Sequence, residues 1–244
     1  MRKFVSASVA AAAMAFATPA LADPITLGSG DVGSSFSIDF DGFSGDAGNT
    51  VDNLTGTLTL VLESVTGSSY NFSYLMENTT SGGLTSNISS FAFNVDPDIS
   101  GASSTGAYPF AFVTDGSGND PSYPNQIGAV DVCFKSGGSG SCSNSGGVSE
   151  GSTGSGLLSL FFSPDATSIT LDDFFVRYQG ITGAGHVTSA SGQQTSSSGG
   201  TTTSSGTPVP APGALGLMAL ALAALGFMRR RRGSEKAMAR PTFA

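Results

Sequence analysis

Leu58-Thr59-Leu60-Val61-Leu62-Glu63 is the stretch that decides the fold class. Leu58, Leu60 and Leu62 recur at every second residue, with Thr59, Val61 and Glu63 between them. A period of two marks a strand with one face on a core. The same alternation runs outward in both directions. Phe36, Ile38 and Phe40 precede it, and Tyr70, Phe72 and Tyr74 follow, with Met76 after them. Further along stand Phe91, Phe93 and Val95; Val130, Val132 and Phe134; Leu158, Leu160 and Phe162; and Phe174, Val176 and Tyr178. Gly, Ser, Asn, Asp or Pro bounds each run, as turn chemistry requires. No convincing helical stripe interrupts the pattern, and no repeat of fixed period points to a solenoid. Short alternating strands with glycine-rich turns predict an all-β domain, an antiparallel β-sandwich or jelly-roll-like fold. Its inner faces take the aromatic and aliphatic residues, and Ser, Thr and Asp are left outside.

The chain has 244 residues, 34 of them glycine, with one histidine, two cysteines and no tryptophan. One His and two Cys cannot supply the four ligands of a Cys/His zinc site. Between Asp23 and Pro210 there are 17 acidic residues and two basic ones, Lys135 and Arg177, a net charge of −15. Such a surface repels phosphate backbones, which argues against nucleic acid as a partner, and it attracts divalent cations or basic partners. Most of the chain's 10 Lys and Arg sit instead in two terminal segments.

Those segments read as delivery signals. Arg2 and Lys3 form a short positive region, and Phe4 to Phe16 is almost wholly apolar. Thr18-Pro19-Ala20-Leu21-Ala22 then supplies an A-x-A cleavage site on Ala20 and Ala22, so residues 1–22 read as a secretory signal peptide. At the other end, Val209-Pro210-Ala211-Pro212 opens an uncharged segment, Gly213 to Met228, which Arg229-Arg230-Arg231-Arg232 closes. A helix over 213–228 would reach about 24 Å at about 1.5 Å per residue. It spans a hydrocarbon core near ~30 Å only with help from the flanking residues and from snorkelling arginines. Four arginines favour the cytoplasmic side. The body of the chain then lies outside the inner membrane, and 233–244 form a cytoplasmic tail.

Residues 188–207 contain Ser, Thr, Gly and Gln and no large apolar side chain. Such a segment predicts a flexible linker, and the folded domain would then cover 23–187. Cys133 and Cys142 are the only cysteines, and in an exported protein the pair predicts a disulfide. A loop of that size stabilises by about 2–3 kcal/mol in the chain-entropy model.

The order Pro-x-Pro, a short Gly/Leu/Ala helix and an Arg cluster resembles the PEP-CTERM sorting signal of Gram-negative bacteria. It covers 208–232 here, carried by Val209, Pro210, Ala211, Pro212 and Arg229 to Arg232. Ala211 stands where the name-giving glutamate would be, and Gly233 to Ala244 extends the chain past the arginines. The resemblance implies recognition by an exosortase, with the inner membrane as a transient partner, then removal of the tail and transfer to the cell surface or outside. Four stretches of the folded region also resemble the cistern family of PEP-CTERM proteins: 36–43 (FSIDFDGF), 91–98 (FAFNVDPD), 130–134 (VDVCF) and 171–179 (LDDFFVRYQ). That family implies no established activity. Its setting among matrix-producing bacteria implies exopolysaccharide as a partner.

For chemistry the sequence offers little. Asp39, Asp41 and Asp46 with Asn49, and Asp96 with Asp98, are candidate calcium ligands, although the first group does not match the EF-hand loop. No G-x-S-x-G motif occurs in a strand-to-helix context. His186 stands at the edge of the expected linker, where nothing would hold a general base rigidly. Asp172 and Asp173 are the nearest pair for glycosidase work, but successive strand residues point to opposite faces. Arg177 is expected to pair with one of them. Thr55, Thr57 and Thr59 form a hydroxyl row of the kind seen on surfaces that bind ice or flat glycans. The expected function is therefore that of an exported cell-surface or extracellular-matrix protein of structural or interaction type, not an enzyme and with no resident cofactor. The alternative is a calcium- or glycan-binding β-sandwich module, and a secreted hydrolase ranks third.

Overall fold

Fourteen strands run through the computed structural model, which describes residues 24–114, 120–138, 142 and 145–199. They are β1 (Ile25–Gly28), β2 (Ser35–Phe43), β3 (Thr50–Thr66), β4 (Ser69–Asn78), β5 (Thr85–Asp96), β6 (Gly101–Ser104) and β7 (Phe110–Val113), followed by β8 (Ser122–Tyr123), β9 (Gly128–Ala129), β10 (Val132–Lys135), β11 (Val148–Ser149), β12 (Thr153–Phe161), β13 (Ser168–Thr182) and β14 (Ser189–Gly199). Every alternating run of the sequence lies within, or at the border of, one of them. The expected signal peptide, sorting segment, membrane helix and cytoplasmic tail lie outside the described residues, among which no helix is long and apolar enough to cross a membrane.

The expectation of an all-β antiparallel domain holds. Hydrogen bonding follows one path, β6-β12-β4-β3-β2-β14-β13-β5-β10-β7, with β1 attached to β13 and β11 to β5, while β8 and β9 form a separate hairpin. The two ends of the path, β6 and β7, lie against each other, so the sheet nearly closes into a barrel. Two walls are recognisable within it. One is β6-β12-β4-β3-β2 and the other is β13-β5-β10-β7, and they pack face to face: Tyr74 of β4 meets Phe91 of β5 at 5.5 Å between ring centroids, although four strands separate β4 from β5 along the path. What makes the two walls one sheet is β14.

The expected linker over 188–207 is therefore corrected across Ser189–Gly199. This strand pairs with β13 from Ser189 to Gln193 and with β2 from Ser191 to Gly199. It has no large apolar side chain because its inward positions in the sheet leave no volume for one. Ala190 and Gly192 face the interior opposite Tyr178 and Val176. A Cβ on Gly192 would lie 2.6 Å from Val176 Cγ2 and 2.8 Å from Tyr178 Cε2. The Tyr178 hydroxyl reaches on to β3, where a Cβ on Gly56 would lie 3.2 Å from it. Here the backbone supplies the pairing, and the neighbours' rings fill the space. Past Gln194 a bulge turns β14 onto β2 alone, and β1 takes up the vacated edge of β13 along Ser168 to Leu171.

One apolar core fills the space between the walls. At its centre Phe91 touches Tyr74, Tyr108 at 5.2 Å and Phe134 at 5.1 Å, and Phe93 continues the stack to Phe174 at 5.0 Å. Ring pairs of this kind add about 0.5–1.5 kcal/mol each beyond the area they bury. The two tyrosines against Phe91 keep their hydroxyls satisfied: Tyr108 donates to Ile88 O at 2.8 Å, and Tyr74 donates to Thr105 O at 2.7 Å while accepting from Tyr108 N at 2.9 Å. Buried Asn78 pins the β4–β5 connection by donating to Ser86 O and Val148 O and accepting from Thr80 N.

Candidate functional site

The two walls have different exteriors. Outside β5, β10 and β13 lies a second, smaller apolar cluster. Ala92, Cys133 and the half-buried Phe175 project from the sheet, and Tyr123, Ile127, Val130 and Cys142 cover them. The Cys133–Cys142 disulfide ties the cover to β10 across a Cα separation of 6.1 Å, within the ordinary range for such bonds. Ser90 Oγ lies 2.7 Å from Tyr123 OH and donates to Cys142 O at 2.5 Å, so the cover is bonded to β5 as well. Burial pushes the Tyr123 phenol well above its ordinary value, a shift that its bond to Ser90 and the nearby Arg177 charge only partly offset.

Both cations of the body belong to this covered wall. Lys135 is fully buried, with Nζ 4.3 Å from the centre of the Phe112 ring, and burial lowers its pKa. Arg177 donates to Ser189 Oγ at 2.8 Å and Ser191 Oγ at 3.4 Å, and the Asn125 amide, turned with its oxygen inward, accepts from Nη1 at 3.1 Å. Burial lowers the Arg177 pKa too, with the Tyr123 phenol acting the other way. The expected pairing of Arg177 with Asp172 or Asp173 gives way to these hydroxyl contacts. A bulge in β13 explains why. Asp173 adopts φ 49°, the register against β5 shifts between Asp172 and Phe175, and Phe174 turns into the core. Asp173 accepts instead from Asn94 Nδ2 at 3.0 Å, and Asp172 from the Asp173 amide at 2.8 Å.

With both bases buried, the charge that the described body shows to solvent is carboxylate. The structure does not gather it into a metal centre: no group of three His, Cys, Asp or Glu able to hold an ion occurs among the described residues. Asp39 and Asp41 lie on β2, whereas Asp96 ends β5 and Asp98 follows it, with β14 and β13 between those strands. Asp39 is already engaged, accepting from Thr57 at 2.8 Å and Ser196 at 2.9 Å. Asp46 caps the β2–β3 turn by accepting from Gly48 N at 2.9 Å. Asp41 differs, because its Oδ1 is buried with no hydrogen-bond partner among the described residues.

Desolvation accordingly raises the Asp41 pKa above the ordinary 3.8, against the smaller opposing effect of the Gln193 and Asp41 backbone amides. A carboxyl with a higher pKa in the folded than in the unfolded chain favours folding while protonated. That contribution is complete below pH 3.8 and is lost as pH rises through the folded-state value. Asp41→Asn should therefore melt at a higher temperature than the parent at pH 7, with the difference disappearing below about pH 4. Paired thermal melts across that range check it.

The other wall is open. On the outer face of β2 and β3, Ser37 and Thr59 share a hydrogen bond at 2.9 Å, and Thr57 donates to Asp39. At the end of the row Thr79 donates to Thr55 at 2.9 Å. The threonine row of the sequence is thus real, and its hydroxyls are bonded across strands. On β4 and β12 the same face carries Ser73, which donates to Glu63 at 2.6 Å, and Asn71, which accepts from Ser159 at 2.6 Å. A shallow trough of about 430 Å³ runs among Thr59, Val61, Ser73, Leu75, Ser155 and Leu157. His186 is exposed in the turn joining β13 to β14.

No family model, curated protein or solved structure matches the chain. The trough was missed in the sequence because Leu75 and Leu157 fall at outward positions of strands whose inward residues dominate the pattern. An apolar residue out of phase with its strand is the signal that could have found it.

Proposed function

We propose that this chain is an exported surface or matrix protein of structural or interaction type, delivered through its C-terminal sorting signal by an exosortase, with exopolysaccharide as its surroundings. The observation that carries the reading is the Cys133–Cys142 disulfide, which fastens the cover of one wall. Structural disulfides of this kind belong to oxidising compartments. A body whose bases are buried and whose carboxylates face solvent also suits a soluble protein among anionic polymers. The two terminal segments give the route: a signal peptide over 1–22 and a Pro-x-Pro, apolar, Arg-cluster segment over 208–232.

Mass spectrometry of the protein recovered from a Gram-negative host carrying an exosortase tests this. A mature chain that begins at Asp23, ends near Val209 to Pro212 and holds no free thiol is the expected result. Intact chain in the cytosol with both thiols reduced would remove the proposal. A second reading, a glycan-binding module, draws on the hydroxyl row along β2 and β3, and binding to a glycan array that is lost on substituting Thr57 and Thr59 would favour it.

A further inference from the structure

Arg177 carries its charge into the covered wall without a counter-charge. It is 6% exposed, and its hydrogen-bond partners are neutral: Ser189, Ser191 and the Asn125 amide. The one titratable group that acts on its charge is the Tyr123 phenol, which burial keeps protonated. A guanidinium does not shed its proton to escape burial, so burial with no opposite charge beside it is strongly unfavourable.

Two donors at this group also lack an acceptor. Nε is buried with no hydrogen-bond partner among the described residues. Nε–H and Nη2 share one edge of the planar guanidinium, the kind of edge that forks onto anions. On Nη2 sits Ser189 Oγ, which accepts at 2.8 Å and has no acceptor for its own proton among the described residues. The wall adds to the positive charge. Lys135 and Arg177 stand opposite Ser90 on its two sides, so the two bases of the body share one cross-strand row. Their backbones are about 10 Å apart at about 4.8 Å per strand. The cover fixes the arrangement from above. Asn125 reaches Arg177 from a hairpin tip where Asn125 and Gln126 adopt φ 61° and 66°. Side chains keep such a backbone only where their surroundings hold it.

We infer that the Nε–Nη2 edge of Arg177 and the Ser189 hydroxyl bind one small inorganic anion of the size and charge of chloride. Such an ion supplies the acceptor and the opposite charge together. A water molecule would supply the acceptor alone. Access selects against larger anions: Nε lies beneath the cover, and a charged polymer meets the carboxylates of the exterior first. The inference does not depend on where the protein is delivered.

Thermal melts of the full-length chain in non-ionic detergent, at fixed ionic strength with sodium chloride exchanged for sodium gluconate, test the site. Tm should rise with the chloride fraction, by about 2–4 °C once chloride exceeds its Kd about fivefold. Ser189→Ala keeps the guanidinium and removes one donor, and should weaken the fitted Kd about tenfold. Arg177→Met should abolish the chloride dependence. Bromide soaked into crystals of the parent should give an anomalous peak against Nε and Ser189 Oγ, a result that needs no variant to fold. Equal melts in the two salts, a chloride effect that survives Arg177→Met, an unchanged Kd in Ser189→Ala, stabilisation by acetate but not by chloride, or bromide bound only elsewhere would each overturn it.

Discussion

Ending the chain at Thr188 is expected to abolish the folded domain, whereas ending it at Gly199 should leave a cooperative unfolding transition. The shorter chain keeps the alternating runs of large apolar residues noted in the sequence and loses only Ser, Ala, Gly, Gln and Thr. A hydrophobic inventory would rank the deletion as harmless. The strand pairing says otherwise, because β14 is bonded along β13 on one side and β2 on the other. Without it, both walls acquire an open edge in the middle of the structure. Tyr178 and Val176 lose the backbone they pack on, and the Arg177 guanidinium loses its contacts to Ser189 and Ser191. Unpaired buried polar groups cost about 1–3 kcal/mol each, and a domain of this size has about 5–15 kcal/mol in total. Far-UV circular dichroism and amide dispersion by NMR distinguish the outcomes, and a cooperative melt of the chain ending at Thr188 would show that the seam is dispensable.

Phe91→Ala should destabilise the domain by about 3–5 kcal/mol, as aromatic truncation does in a close-packed core. Phe91 is fully buried where the two walls meet, between Tyr74, Tyr108 and Phe134. The surrounding rings cannot collapse into the space. Tyr74 is held by Thr105 O and the Tyr108 amide, and Tyr108 by Ile88 O. Moving either ring would leave those carbonyls unpaired. Phe91→Leu retains more of the volume and should lose less. Urea unfolding followed by circular dichroism gives both values, and equal losses for the two variants would mean that the rings do repack.

The walls were legible in the sequence because each of their long strands carries large inward residues at a period of two, from Phe36 in β2 to Tyr178 in β13. The disulfide was legible from the chain's two cysteines, read together with the signal-like segment over 1–22. The seam was not, since Ala190 and Gly192 serve as inward residues by being small, and a polar, glycine-bearing segment carries the same composition whether it is paired or free. The bulge at Asp173 was equally hidden: Asp172-Asp173 before Phe174-Phe175 reads as plain alternation until the left-handed backbone of Asp173 resets the phase. The open face escaped notice for a related reason, as Leu75 and Leu157 sit among residues that otherwise follow the inside–outside rule.

The position of β14 also orders events during synthesis. Its partner β2 lies some 150 residues earlier, so the pairing of Phe36 with Gly199 joins nearly the whole length of the body. A polypeptide made from its amino end delivers that strand after the other thirteen. Until it arrives, the two walls can meet through their side chains but lack the backbone ladder that makes them one sheet.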